Sequence, residues 1–141
     1  MSDEWYTPQI LFDVLNLEFD LDVASPIGNK GHVPAKNKYT IEDDGLAQPW
    51  YGRVWMNPPY SKPAPWVEKW LTHANGIALL PMAKSKWFNF MFQSEAKFVL
   101  LHSTFKFESP EGKPLSLMMG STLWALGDSN IEAIERISKV R

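Results

Sequence analysis

The chain has 141 residues, of which 45% are hydrophobic and 21% charged, and it carries a formal net charge of −2. This is the length of one domain and the composition of an ordinary globular protein, which excludes a disordered, collagen-like or low-complexity chain. Cysteine is absent, so a disulfide framework, a thiolate metal site and a cysteine nucleophile are excluded as well. His32, His73 and His102 are scattered without ligand spacing, and no metal site is expected. The uncharged run from Pro114 to Gly127 is too short to span a bilayer. The opening Met-Ser-Asp-Glu-Trp lacks the basic and apolar regions of a secretory signal. A soluble, intracellular protein without membrane contact is therefore the expectation.

Charge is unevenly placed. Residues 1–60 hold nine acidic and four basic side chains, whereas residues 61–107 hold six lysines against Glu68 and Glu95 alone. An acidic half beside a basic stretch suits a polyanion on one face. A sequence pI near 5.9 argues against bulk attraction to nucleic acid.

In chain order, Thr7 and Pro8 read as the N-cap and first residue of a short helix whose apolar positions run from Leu11 to Leu17. Phe19 to Val23 alternates as a strand does. Residues 25–52 read mostly as loop, with a short strand near Tyr39 to Ile41. Arg53 to Met56 is a buried-type strand stopped by Pro58-Pro59, and Pro65 to Ala74 is a helix with Trp66, Val67, Trp70 and Leu71 on one face. Ile77 to Leu80 is a second buried strand. Ser85 to Ala96 is a helix with Trp87, Phe88, Met91 and Phe92 on one face, and Phe98 to Leu101 is a third buried strand. A short extended piece over Phe105 to Phe107, a turn-rich loop over Glu108 to Pro114, a strand over Thr122 to Leu126 and a helix over Ile131 to Val140 complete the chain. Strand, helix, strand, helix, strand at crossover lengths predicts an α/β fold, a mostly parallel sheet flanked by helices. Ligands of such sheets sit beyond the carboxyl ends of the strands.

Asn57-Pro58-Pro59-Tyr60 follows directly on one of those strand ends. Two prolines fix an extended corner and leave its carbonyls without a local amide partner. The corner offers a side-chain amide oxygen, a backbone carbonyl and an aromatic ring. An NH₂ group on an sp² carbon needs that set, because its lone pair is delocalised and it is a poor nucleophile. The Asn57 oxygen and the Pro58 carbonyl accept its two hydrogens and stabilise the charge that develops on nitrogen, while Tyr60 stacks on the ring that carries it.

The ordered set Trp5-x-Thr7-Pro8, Leu21-Asp22-x-Ala24, Asp44-Gly45-Leu46, Trp50, Asn57-Pro58-Pro59-Tyr60 and Trp87-Phe88 resembles the phage-type DNA adenine-N6 methyltransferases. The likeness covers roughly residues 4–127. It implies a compact, truncated Rossmann-like methyltransferase fold, a single methyltransferase-like domain over residues 1–141, S-adenosylmethionine as cofactor, DNA as partner, and the cytoplasm of a bacterial host as location. By the same resemblance, Asn57, Pro58, Pro59 and Tyr60 are catalytic, and Asp22 and Ala24 lie under the methionine half of the cofactor. Trp5, Thr7 and Pro8 fold over its carboxylate, and Asp44, with Asp43 as the second choice, accepts from the adenine amine. Lys62, Lys84 and Lys86 are expected on phosphate, and Trp87 on the nucleic acid or in the core.

Flipping a base out of a duplex costs a few kcal/mol, and a domain this small offers little surface for it. Relaxed sequence preference or a homo-oligomer is expected. The family's glycine-rich loop is reduced here to Ser25-Pro26-Ile27-Gly28-Asn29. That departure keeps open a catalytically silent binding protein on the same scaffold. The Asn-Pro-Pro-Tyr corner alone also suits acceptors such as cytosine N4, RNA or protein glutamine.

Overall fold

The computed structural model describes residues 6–28, 30–101, 105–108, 114–115 and 120–140. In chain order the elements are α1 (Gln9–Leu15), β1 (Phe19–Asp22), β2 (Ala35–Lys38), β3 (Val54–Met56), α2 (Ala64–His73), β4 (Gly76–Pro81), α3 (Lys86–Gln93), β5 (Lys97–Leu100), β6 (Phe107–Glu108), β7 (Pro114–Leu115), β8 (Ser121–Leu126) and α4 (Asp128–Ser138). Six strands form one mixed sheet in the order β2-β1-β3-β4-β8-β5, and β6 pairs with β7 apart from it.

The first four strands of that order run parallel, and β8 enters antiparallel between β4 and β5. Side chains alternate across the sheet as a strand requires. Trp55, Ile77, Leu79, Leu123 and Ala125 face α1 and α4. Val54, Met56, Ala78, Leu80 and Trp124 face α2 and α3. Both faces are thus covered, which explains why β3 and β4 are continuous apolar runs with every residue of β3 buried.

Several sequence expectations are corrected. The first helix begins and ends two residues earlier than its apolar run suggests: Asn16 adopts the left-handed conformation at φ 52° and its amide closes on the Phe12 carbonyl. Thr7 is not its cap; Pro8 holds that position, with no side-chain capping bond. The short strand expected near Tyr39 lies at Ala35–Lys38. Its polar side chains are tolerated because it is an outer strand with one neighbour, β1. The strand expected to be buried at Phe98–Leu101 is the opposite edge, with Phe98 and Leu100 exposed. It is not adjacent to β4, because the later strand β8 takes that place. Phe92, expected on the apolar face of α3, is 63% exposed. Residues 109–113 of the expected turn-rich loop lie outside the described residues.

Candidate active site

The parallel strands β2, β1, β3 and β4 put four carboxyl ends on one rim. The chain leaving each end supplies a wall: Val23 to Ile27 after β1, Thr40 to Gly45 after β2, Asn57 to Pro59 after β3. These walls enclose a cavity of about 270 Å³, closed by Trp66 of α2. A second hollow of about 30 Å³ adjoins it and reaches Tyr6, Thr7, Asp22 and Trp55. Ala24, Pro26 and Asn57 line both.

Asp22 closes β1 and is pinned from both sides. Its carbonyl accepts from the Tyr39 amide at 2.8 Å, and the Val23 amide donates to the Trp55 carbonyl at 3.1 Å. The side chain is 2% exposed, and its Oδ1 accepts from the Ala24 amide at 3.2 Å. Burial in this low-dielectric setting pushes the carboxyl pKa up to about 7; the Ala24 amide, the positive charge of Lys38 and the Ser25 hydroxyl oppose the shift only in part. A buried acid so poorly compensated suits a cation.

At the neighbouring strand end, the Asn57 Oδ1 is buried and has no hydrogen-bond partner among the described residues. Such an orphan costs free energy, and the residue that carries it lines both hollows. Pro58 is buried beside it and lines the larger cavity with Pro59. Tyr60 is half-buried, and burial holds its phenol well above the ordinary range. It does not line either hollow.

The two aspartates of the third wall are separated by geometry. Asp43 is committed to its turn: its Oδ2 accepts from the Thr40 amide at 2.8 Å, while the Glu42 amide donates to the Thr40 hydroxyl at 3.3 Å. Asp44 is held in the left-handed conformation at φ 55° and lines the larger cavity. Gly45 next to it must be glycine. A Cβ there would stand 2.2 Å from the Val23 carbonyl and 3.2 Å from the Trp66 ring.

Of the other expected residues, Thr7 and Pro8 are buried, and Thr7 lines the smaller hollow; Trp5 lies outside the described residues. Lys84 and Lys86 line a separate open depression with Ser85, Asn89 and Phe92. Ser85 stands at the N-cap of α3 without a capping bond, its Oγ buried and unpartnered. Trp87 packs with Phe88, centroids 5.7 Å apart, against the α2/α3 side of the core and not in that depression. Lys62 is exposed and lines none of the three hollows. The sequence reading missed Ile27, Ile41 and Trp66, which give the larger cavity much of its apolar wall. For Trp66 a signal existed, since it opens the helix that follows the proline corner.

A family model described as DNA N-6-adenine-methyltransferase (Dam) matches residues 1–116. Two curated relatives carry the same description. One, from Haemophilus phage HP1 (strain HP1c1), is 32% identical over 111 residues, covering 71% of this chain and 62% of its own. The other, from Escherichia phage T1, is 31% identical over 114 residues, covering 73% of this chain and 46% of its own. The chain thus spans about half the length of these relatives. No solved structure gives a significant match.

Proposed function

The chain belongs to the DNA N-6-adenine-methyltransferase family, and from that premise we propose that it transfers a methyl group from S-adenosylmethionine to the N6 amine of adenine in DNA. The observation that carries the reading is the buried, unpartnered Asn57 Oδ1 in the wall between the two hollows. When bound, S-adenosylmethionine supplies a methyl group on a sulfonium, an electrophile that needs no further activation.

The residues present fit that cofactor. Asp22 is a buried acid without a full counter-charge, suited to the cationic methionine end. Ala24 leaves room beside it, and Thr7 and Pro8 would hold the carboxylate; Trp5, outside the described residues, is proposed for the same role from the sequence motif alone. The larger cavity has an apolar wall and the Asp44 carboxylate, suited to an adenine ring and its amine. Asp43, already bonded within its turn, is not assigned this role.

The chemistry at the acceptor follows from the corner. Asn57 Oδ1 takes one hydrogen of the target amine and the Pro58 carbonyl takes the other, while Pro59 keeps both oxygens in place. These contacts favour a pyramidal nitrogen with its lone pair free. Neither acceptor is a base, so the amine attacks while neutral and its surplus proton leaves to solvent afterwards. Tyr60 stacks on the extruded base. Lys62, Lys84 and Lys86 hold phosphates around the same rim, one strand over from Asn57 for the latter two, with Trp87 supporting their helix.

The strand order, with parallel β2, β1, β3 and β4, helices on both faces and β8 antiparallel near one edge, supports a truncated Rossmann-like methyltransferase fold in a single domain over residues 1–141. No helix among the described residues is long and apolar enough to cross a membrane. The phage origin of the relatives supports a site of action in the cytoplasm of a bacterial host.

The test is incubation of unmodified DNA with methyl-labelled S-adenosylmethionine, followed by nucleoside analysis. Label in N6-methyladenine is expected. Label only in N4-methylcytosine, or in RNA or protein offered in parallel, would change the acceptor. No incorporation, together with no binding of the cofactor, would leave a silent scaffold.

A further inference from the structure

Residues 44–52 contain no helix or strand, yet they carry Asp44, and one face of α2 grips them along their length. Trp66, Lys69 and His73 recur on that face at i, i+3 and i+7. The Trp66 ring lies against Gly45 and stacks on Trp50 with centroids 6.2 Å apart. Lys69 Nζ donates to the carbonyls of Leu46, at 2.8 Å, and Gln48, and stands 5.1 Å over the Trp50 ring. His73 Nε2 meets the Gly52 carbonyl at 2.8 Å, so that nitrogen carries the proton. The Trp50 indole in turn donates to the Gly45 carbonyl at 2.8 Å.

Lys69 is the unusual member. Among the described residues no carboxylate pairs with it. Its charge is spent on two backbone carbonyls and a ring, bonds about twice as strong as neutral ones. Leu46 lies in the turn that starts at Asp44, where the Ala47 amide closes on the Asp44 carbonyl at 2.9 Å, and Gln48 closes the overlapping turn, its amide meeting the Gly45 carbonyl at 3.4 Å. The same helix begins at Ala64, just beyond the Asn57 to Tyr60 corner. It therefore ties the wall that carries Asp44 to the wall that carries Asn57.

We propose that Lys69 is a positioning residue for S-adenosylmethionine: by clasping the Leu46 and Gln48 carbonyls it holds the turn that aims Asp44 into the larger cavity. This rests on the reading of that cavity as the cofactor site. Nothing in the arrangement brings Lys69 to the reacting atoms, so its effect falls on cofactor binding and not on transfer.

The experiment compares wild type, Lys69→Met and Lys69→Arg by calorimetric titration with S-adenosylmethionine, by steady-state kinetics, and by amide exchange at Ala47 and Gln48 without cofactor. Lys69→Met is expected to raise both Kd and KM for the cofactor about tenfold, to leave kcat within about twofold, and to speed exchange at both amides. Lys69→Arg recovers most of the affinity. Lys69→Gln keeps a side-chain donor for one of the two carbonyls and loses the charge over the Trp50 ring. It shows the same split in smaller measure and serves if Lys69→Met does not fold. Equal affinity and equal exchange in wild type and Lys69→Met would overturn the clasp alone. A loss of kcat at unchanged KM would also overturn it. No binding by wild type would overturn the cofactor reading and the clasp together.

Discussion

Asp22 and Asn57 stand at the carboxyl ends of neighbouring parallel strands, in a register that pairs Asp22 with Trp55, and both side chains reach the same small hollow. One is a buried acid without a full counter-charge, the other a buried acceptor without a donor. Two such defects on one wall are costly to the free protein, and a ligand that brings a cation and an amine would relieve both.

The first expectation concerns Asn57. Asn57→Ala removes the acceptor proposed for the target amine, so methyl transfer should fall by about 100- to 1,000-fold or more. Because its Oδ1 has no partner among the described residues, thermal unfolding should occur at the same temperature or higher. Labelled transfer and a melting curve on one preparation measure both. Near-normal turnover would remove Asn57 from the mechanism.

Asp22 sets a pH dependence whose sign is fixed by its raised pKa. In the unfolded chain the group titrates near 3.8, and in the folded chain at about 7. Below 3.8 both states are protonated and the group is neutral in its effect. As pH rises from there to about 7 the unfolded state loses its proton first, and stability falls by on the order of 4 kcal/mol. Asp22→Asn should abolish this slope, matching wild type below pH 4 and exceeding it at pH 8 in urea titrations. A cationic ligand needs the ionised form, so wild type should bind S-adenosylmethionine more tightly as pH rises through 7, and the variant weakly throughout.

Asp43 and Asp44 should separate cleanly. Asp43→Ala breaks the bond to the Thr40 amide and should cost about 1 kcal/mol of stability with little change in cofactor affinity. Asp44→Asn keeps a residue that tolerates the left-handed conformation and exchanges the carboxylate for an amide. It should lower cofactor affinity about tenfold at unchanged stability. Reversal of the two outcomes in calorimetry would exchange the assignments.

The lysines of the α3 depression should report on DNA through salt. Each of Lys84→Ala and Lys86→Ala should reduce the slope of log affinity against log salt by about 0.9, while kcat at saturating DNA is kept. An unchanged slope in the double variant would place the phosphates elsewhere.

Much of this site was legible in the sequence because its carriers are local. A double proline after Val54-Trp55-Met56 marks a strand end wherever that strand sits, and Asp22 closes an alternating run. What stayed hidden depends on partners distant in sequence. Phe98 to Leu101 reads as a buried strand, and only the arrival of β8 beside β4 makes β5 an edge. Lys36 and Lys38 disguise β2, whose one-sided pairing lets polar residues stand in a strand. The choice between Asp43 and Asp44 turns on a hydrogen bond to Thr40. The clasp of Lys69 has no side-chain partner of opposite charge to betray it, since it bonds to carbonyls that every residue possesses.

The antiparallel strand has a consequence for how the chain reaches its native state. β4 lies between β3 and β8, and Gly76 pairs with Leu126, while Arg53 is latched to Asn130, 77 positions away. During synthesis every proposed catalytic and cofactor group emerges well before the strand that completes the sheet. Until then an apolar edge, Ile77 to Leu80, is open to any passing strand. Nascent chains halted before Ser121 should therefore engage holdase chaperones, and slow closure of this long-range pairing should govern the refolding rate.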